Sequence, residues 1–138
     1  MTINVCIAGA TGWAGSALAM AVHQAQDLEL VGAVSRKKKG QALGDVLGGF
    51  GGSHVVISAS VAETLATPCD VMVEYTRPDV AKPNILSALN AGAHVVVGTS
   101  GLTDGDYAEI DATAKDQIPD RNLLLGGTDQ GRGTDQWN

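Results

Sequence analysis

The chain has 138 residues, 44% hydrophobic and 17% charged, with a formal net charge of −6. This fits one globular domain, able to bury a core without disulfide or metal staples and too short for a second domain of similar size. Aromatics at 4% and the acidic balance argue against a nucleic-acid surface, and no stretch nears the roughly 18 apolar residues of a membrane span.

Asn4–Ala8 is short, apolar and β-branched, the pattern of a strand buried on both faces of a parallel sheet. No secretory signal pattern precedes it. Glycines follow at once, and Ser16–Gln24 then predicts a helix of small and aliphatic residues. Leu28–Ser35 predicts a second apolar strand, followed by the basic run Arg36-Lys37-Lys38-Lys39. Ala42–Leu47 fits one or two helical turns. Gly48–Gly52, four glycines around Phe50, predicts a mobile loop, and Val55–Ile57 a short strand. Ser60-Val61-Ala62-Glu63 has the form of a capping box, and Pro68 breaks the chain after it.

Val71–Tyr75 predicts a third long strand. Pro78 fits a helix start, and Val80–Ala91 a helix that Gly92 ends, with Pro83 tolerated in its first turn. His94–Val97 reads as a strand leading into Gly98-Thr99-Ser100-Gly101. Thr103 and Asp106 cap a helix reaching about Lys115, and Arg121–Leu125 offers a last strand. Strands alternating with helices predict an α/β fold: a Rossmann-type, doubly wound parallel sheet with helices on both faces. Residues 1–125 form this domain. Residues 126–138 repeat Gly-Thr-Asp-Gln at 127–130 and 133–136, lack any core-forming period, and read as a disordered tail.

The main chemical feature is Gly9-Ala10-Thr11-Gly12-Trp13-Ala14-Gly15, between the first strand and the first helix. It is a G-x-x-G-x-x-G variant of the dinucleotide fingerprint. Glycine is needed there for a sharp turn, for approach of backbone to a pyrophosphate, and for close helix–strand packing. The helix N-terminus then offers free N–H groups and a positive dipole to phosphate. Taken alone, such a triplet is also an ordinary structural turn. Its place in the first βα connection favours nucleotide binding.

At the end of the second strand, an NAD-selective site carries a carboxylate for the ribose 2′-hydroxyl. Ser35 and Arg36 stand there instead. A guanidinium grips a 2′-phosphate with paired bonds, and Lys37–Lys39 add positive potential, so NADPH is expected over NADH, with NADH a weaker ligand. Without this run, five basic residues face fifteen acidic ones, which marks a local anion site on an acidic body. Tyr75-Thr76-Arg77, after the third long strand, and Gly98-Thr99-Ser100, after the next, fall on the same edge of the sheet. Each alone is an ordinary loop; together they extend the candidate cofactor site.

These segments together resemble the nucleotide-binding half of dihydrodipicolinate (4-hydroxy-tetrahydrodipicolinate) reductase, over roughly residues 1–125. The resemblance runs through Val5–Gly15, Gly32-Ala33-Val34-Ser35-Arg36, Glu74-Tyr75-Thr76-Arg77-Pro78 and Gly98-Thr99-Ser100-Gly101-Leu102. It implies cofactor contacts from Gly9–Ala14, from Arg36 at the adenosine end, and from Gly98–Ser100 near the nicotinamide. It also implies a cytoplasmic oxidoreductase of lysine and diaminopimelate biosynthesis, passing hydride from NADPH to a cyclic imine dicarboxylate. Relatives often carry an acidic residue where Ser35 stands, which admits NADH. They continue into an Asn-Phe segment where this chain has Leu125-Gly126-Gly127-Thr128-Asp129, and then into a substrate domain that supplies catalysis and the homo-oligomer interface.

No such domain is visible in the sequence, so no catalytic residue is assigned and the chain is expected to bind cofactor without turnover. His23, His54 and His94 match no catalytic position. Self-association through apolar surface left uncovered is a further expectation. Two other Rossmann families fit less well. A Tyr-x-x-x-Lys base is missing, since Asp79 and Asp111 stand four residues after Tyr75 and Tyr107. An acyl-phosphate or semialdehyde reductase needs an activated cysteine, whereas Cys6 lies within a strand and Cys69 just before one. A nucleotide-binding module without catalysis is the remaining alternative. No metal-ligand spacing occurs, and two cysteines are too few for a disulfide framework.

Overall fold

The computed structural model describes residues 2–48, 55–117 and 124–125. Along it run β1 (Ile3–Ala8), α1 (Trp13–Gln24), β2 (Leu28–Val34), α2 (Leu43–Leu47), β3 (Ile57–Ser58) and α3 (Val61–Thr64). Then come β4 (Val71–Glu74), α4 (Pro78–Asn90), β5 (His94–Val97), α5 (Asp104–Gln117) and β6 (Leu124–Leu125). The strands form one parallel sheet in the order β3-β2-β1-β4-β5-β6. This is the Rossmann-type order that the alternation predicts. Strand succession reverses at β1, with β2 on one side and β4 on the other.

Two apolar layers sandwich the sheet, which explains the near-continuous hydrophobic strands. Val5 and Ile7 of β1 join Ala19, Val22, Leu30, Ala33 and Leu43 under α1 and α2. Cys6 and Ala8 point the other way, into Val61, Met72, Ile85, Leu89, Val95 and Ile110 under α3, α4 and α5. Alternate side chains of one strand thus feed opposite cores. Lys82 links α4 to α5 through Glu109 Oε1 at 3.2 Å and Asp106 Oδ1 at 3.5 Å, an exposed pair of contacts of small energetic weight.

Helix ends follow local chemistry. Ser60 Oγ accepts from Glu63 N–H at 3.2 Å, while Glu63 Oε2 accepts from Ala59 N–H at 3.1 Å, one residue before the position a strict capping box uses. At α5 the box is reciprocal: Asp106 N–H donates to Thr103 Oγ1 and Thr103 N–H to Asp106 Oδ2, both at 3.0 Å. α4 ends in a Schellman arrangement, with Ala93 N–H on Ala88 O at 3.0 Å and Gly92 N–H on Leu89 O at 2.9 Å.

Several boundaries differ from expectation. α1 starts at Trp13, because Gly12 itself takes the extended N-cap conformation. α4 starts at Pro78, whose fixed φ suits a first helical residue. Pro83 therefore lies inside the helix, past its first turn. It sits at an exposed position, where water can reach the carbonyl left without its N–H partner. Of the expected Val55–Ile57 strand only Ile57 belongs to β3; Val56 bridges antiparallel to Ala42. The glycine loop beyond Gly48 and the 126–138 tail lie outside the described residues. No helix among the described residues is long and apolar enough to cross a membrane.

Gly92 has φ +86° and open space around the position of a Cβ. Gly92→Ala should therefore cost about 1 kcal/mol from backbone strain alone, read as a lower urea midpoint with an unchanged m-value.

Candidate functional site

The β1–α1 turn sits where strand order reverses, and its shape is set by backbone crowding. Gly9 has φ +87°, and a Cβ on it would overlap the Tyr75 carbonyl oxygen arriving from β4. A Cβ on Gly15 would overlap the Gly9 carbonyl, so α1 lies against its own turn. Gly12 is less constrained: a Cβ on it would meet only Gly9 O, at a tight 3.3 Å. Gly9 and Ala10 N–H groups bond Val34 O at 3.0 and 3.3 Å, and Gly12 N–H bonds Gly9 O at 3.0 Å. No side chain caps α1 and its first turn carries no acid, so its N-terminal N–H groups and dipole are left for an anion.

Beside this turn opens a cleft of about 460 Å³ at the carboxyl ends of β1, β2 and β4. Gly9, Thr11, Ser35, Arg36, Lys37, Thr76 and Arg77 line it, all of them expected from sequence. Thr11 Oγ1 donates to Ser35 Oγ at 2.9 Å and pins the glycine turn to the start of the basic loop. Arg36 and Lys37 are exposed, and Arg77 pairs loosely with Asp79 at 3.4 Å across solvent. A larger hollow of about 630 Å³ lies along His23, Glu29, Val31 and Thr67. It holds no part of the glycine turn, and much of it follows the amino-terminal half of β2, whereas open α/β sheets bind ligands at the opposite edge.

The β4 and β5 ends form a second cluster. The Tyr75 ring covers Gly98, where a Cβ would run into it. Glu74 is wholly buried. Its Oε1 accepts from Thr76 N–H at 2.8 Å, from the Thr76 hydroxyl, and from Thr99 Oγ1 at 3.4 Å. Thr76 N–H is shared with Thr99 Oγ1 at 2.9 Å. Oε2 is buried without a hydrogen bond. Burial raises the Glu74 pKa above its ordinary 4.5, and contacts from Thr76, Asn84 and Thr99 offset this only in part.

The remaining sequence-derived residues take distinct places. Ala10 is fully buried in the α1 core, Gly12 and Ala14 are exposed around the helix start, and Ser100 is exposed beyond β5. Trp13, 95% exposed, projects from the first residue of α1 into solvent. Thr99 is buried, with its hydroxyl committed to Thr76 and Glu74 rather than facing the cleft. Sequence reasoning missed Ala59, Ser60, Val80 and Asn84 as cleft-lining residues. Ser60 is the cap residue expected from sequence, and Val80 and Asn84 follow from a helix beginning at Pro78, but these residues come to one cleft with the end of β2 only in the fold.

Cys6 and Cys69 lie elsewhere, under α3 and α4, with sulfurs 3.2 Å apart. Either thiol can donate across this contact; the hydrogen bond to Cys69, with burial adding to it, raises the Cys6 pKa, and the same bond lowers that of Cys69. Among the described residues no group of three His, Cys, Asp or Glu side chains could hold a metal.

Two outcomes follow from this geometry. Gly15→Ala forces backbone apart and should destabilise the fold by roughly 1–3 kcal/mol in denaturant melts, more than the strain-only change at Gly92. Because the folded state raises the Glu74 pKa, its protonated form favours folding at low pH, and that advantage is lost as pH rises through the folded pKa. Melts from pH 4 upward should therefore show wild type losing stability relative to Glu74→Gln.

The family model described as "Dihydrodipicolinate reductase, N-terminus" matches residues 3–120. A 4-hydroxy-tetrahydrodipicolinate reductase of Thermosynechococcus vestitus is 36% identical over 113 residues, covering 78% of this chain and 41% of its own. That of Rippkaea orientalis is 37% identical over 137 residues, covering 90% of this chain and 49% of its own. The chain thus spans less than half the length of these relatives. Among solved structures, a dipicolinate-bound dihydrodipicolinate reductase from Paenisporosarcina sp. TG-14 superposes with a TM-score of 0.74 at 23% identity, over 91% of this chain and 47% of that one. A Rossmann-type sheet with its glycine turn at the strand reversal, matched by the family model over most of its length, makes this chain a member of the dihydrodipicolinate reductase family, corresponding to its N-terminal domain.

Proposed function

We propose that the cleft binds a nicotinamide dinucleotide and prefers NADPH to NADH. The observation that carries this is the convergence of Gly9 and Thr11 of the glycine turn with Arg36, Lys37 and Arg77 on one cleft at the sheet's carboxyl edge. The residues fit such a ligand. The cradle beside Gly9 and Gly15 has no room for a Cβ, and α1 presents an uncapped N-terminus to a pyrophosphate. Arg36 would hold the 2′-phosphate through paired N–H donors, with Lys37 and Arg77 adding charge. Ser35 offers no carboxylate to repel that phosphate. Gly98 and Ser100 would lie toward the nicotinamide, with the Tyr75 ring bracing Gly98.

In the family's whole protein the reduced nicotinamide would supply hydride to a cyclic imine dicarboxylate of lysine biosynthesis, in the cytoplasm. This chain's own part is to bind and orient the cofactor. Among the described residues none is assigned to hold the substrate carbon at near-attack distance, and the binding role is the one these residues support.

Calorimetric titration should give a lower Kd for NADPH than for NADH. Arg36→Ala should weaken NADPH by roughly tenfold or more, the scale of a lost charge-assisted pair, and leave NADH nearly unchanged. Equal affinities unaffected by the substitution would remove the Arg36 assignment. A coupled absorbance assay should show no NADPH oxidation with the dihydrodipicolinate-type substrate, and robust oxidation would place an active site within this chain.

A further inference from the structure

A carboxyl group with no exposed surface and no cation is costly unless it has a task. Glu74 is such a group. It ends β4, the strand paired with β1 at the reversal, and no lysine or arginine among the described residues pairs with it. The hydrogen bonds from Thr76 and Thr99 fall on Oε1, and they come from two different loops. Thr76 belongs to the loop from β4 to α4, and Thr99 to the loop after β5. Thr76 lines the cleft and Thr99 does not, so the carboxyl ties a cleft residue to a buried post behind it.

We infer that Glu74 is a positioning residue for the dinucleotide, locking the loop after β4 against the loop after β5 through Thr76 and Thr99. The inference rests on the reading of the cleft as a dinucleotide site. The donors from Thr76 and Thr99 converge on Oε1 alone, so one carboxyl oxygen makes the link between the loops while Oε2 takes no part in it. Burial disfavours the ionised form of the group, so the link does not depend on its charge. Asn84, on the first turns of α4, lines the cleft and is a close polar neighbour of Glu74. The carboxyl therefore braces three elements without touching the ligand itself. Glutamine reproduces this arrangement, presenting an oxygen to Thr76 and Thr99 and an amide on the Oε2 side. Alanine removes it and leaves the Thr76 and Thr99 groups to find other partners.

The test is NADPH titration of the full chain as wild type, Glu74→Gln and Glu74→Ala, with amide hydrogen exchange at Thr76. Glu74→Gln should bind within about threefold of wild type and keep Thr76 protected, while Glu74→Ala should bind roughly tenfold or more weakly and exchange Thr76 faster. If alanine destroys folding, Thr99→Val replaces it, with Thr99→Ser as the rescuing variant. Wild-type-like binding by the folded Glu74→Ala or Thr99→Val protein overturns the Glu74 assignment and leaves the dinucleotide reading intact. Equal weakening by Glu74→Gln and Glu74→Ala also overturns it, since the clamp needs no charge. Failure of wild type to bind NADPH overturns the dinucleotide reading, and the cofactor role of Glu74 with it.

Discussion

Everything at the carboxyl edge of this sheet depends on the contact of three backbone segments at the β1–β4 boundary. The Tyr75 carbonyl occupies the space beside Gly9, and the Gly9 carbonyl occupies the space beside Gly15. No side chain fits between them, so the turn, the incoming β4 loop and the start of α1 are one packed unit. Tyr75 N–H on Ala8 O at 3.0 Å carries the ladder to the last residues before the loops diverge. That crowding fixes the uncapped N-terminus of α1 directly after the turn whose Gly9 and Thr11 line the cleft, and it is why a turn of three glycines is more than a flexible connection here.

The second layer of order is polar and buried. Most of the interior is aliphatic, and Glu74 is the one acidic side chain among the described residues that the core encloses. Its donors link the loops after β4 and β5, so the carboxyl does for this half of the edge what close backbone packing does for the other half. A low local dielectric makes such a network stiff when its groups are satisfied. The Tyr75 ring over Gly98 closes the same junction from the solvent side.

Charge is placed against the background of the molecule. The body is acidic, while Arg36, Lys37 and Arg77 gather at one cleft. An anionic ligand is thus drawn toward one place and repelled from most others, an effect that salt screens. The Thr11–Ser35 hydrogen bond joins the glycine turn to the basic loop, coupling the parts of the proposed site that would hold the pyrophosphate and the 2′-phosphate.

Sequence by itself determined the strand–helix alternation, the layer type and the glycine turn, because those are local: β-branched apolar runs, small-residue helices and positions where a Cβ cannot be placed. It also located Arg36, Thr76 and Arg77, since position after a strand fixes the sheet edge on which a loop emerges. It misjudged where α1 begins, because a glycine can serve as N-cap without a side-chain signal. Only the tertiary structure decided that Ala59, Ser60, Val80 and Asn84 share the cleft, that Thr99 is a buried post, and that Glu74 is enclosed without a counter-ion. Those facts arise from which strands become neighbours. A residue's burial and hydrogen-bond partners are properties of segments distant in the chain, and no local pattern encodes them.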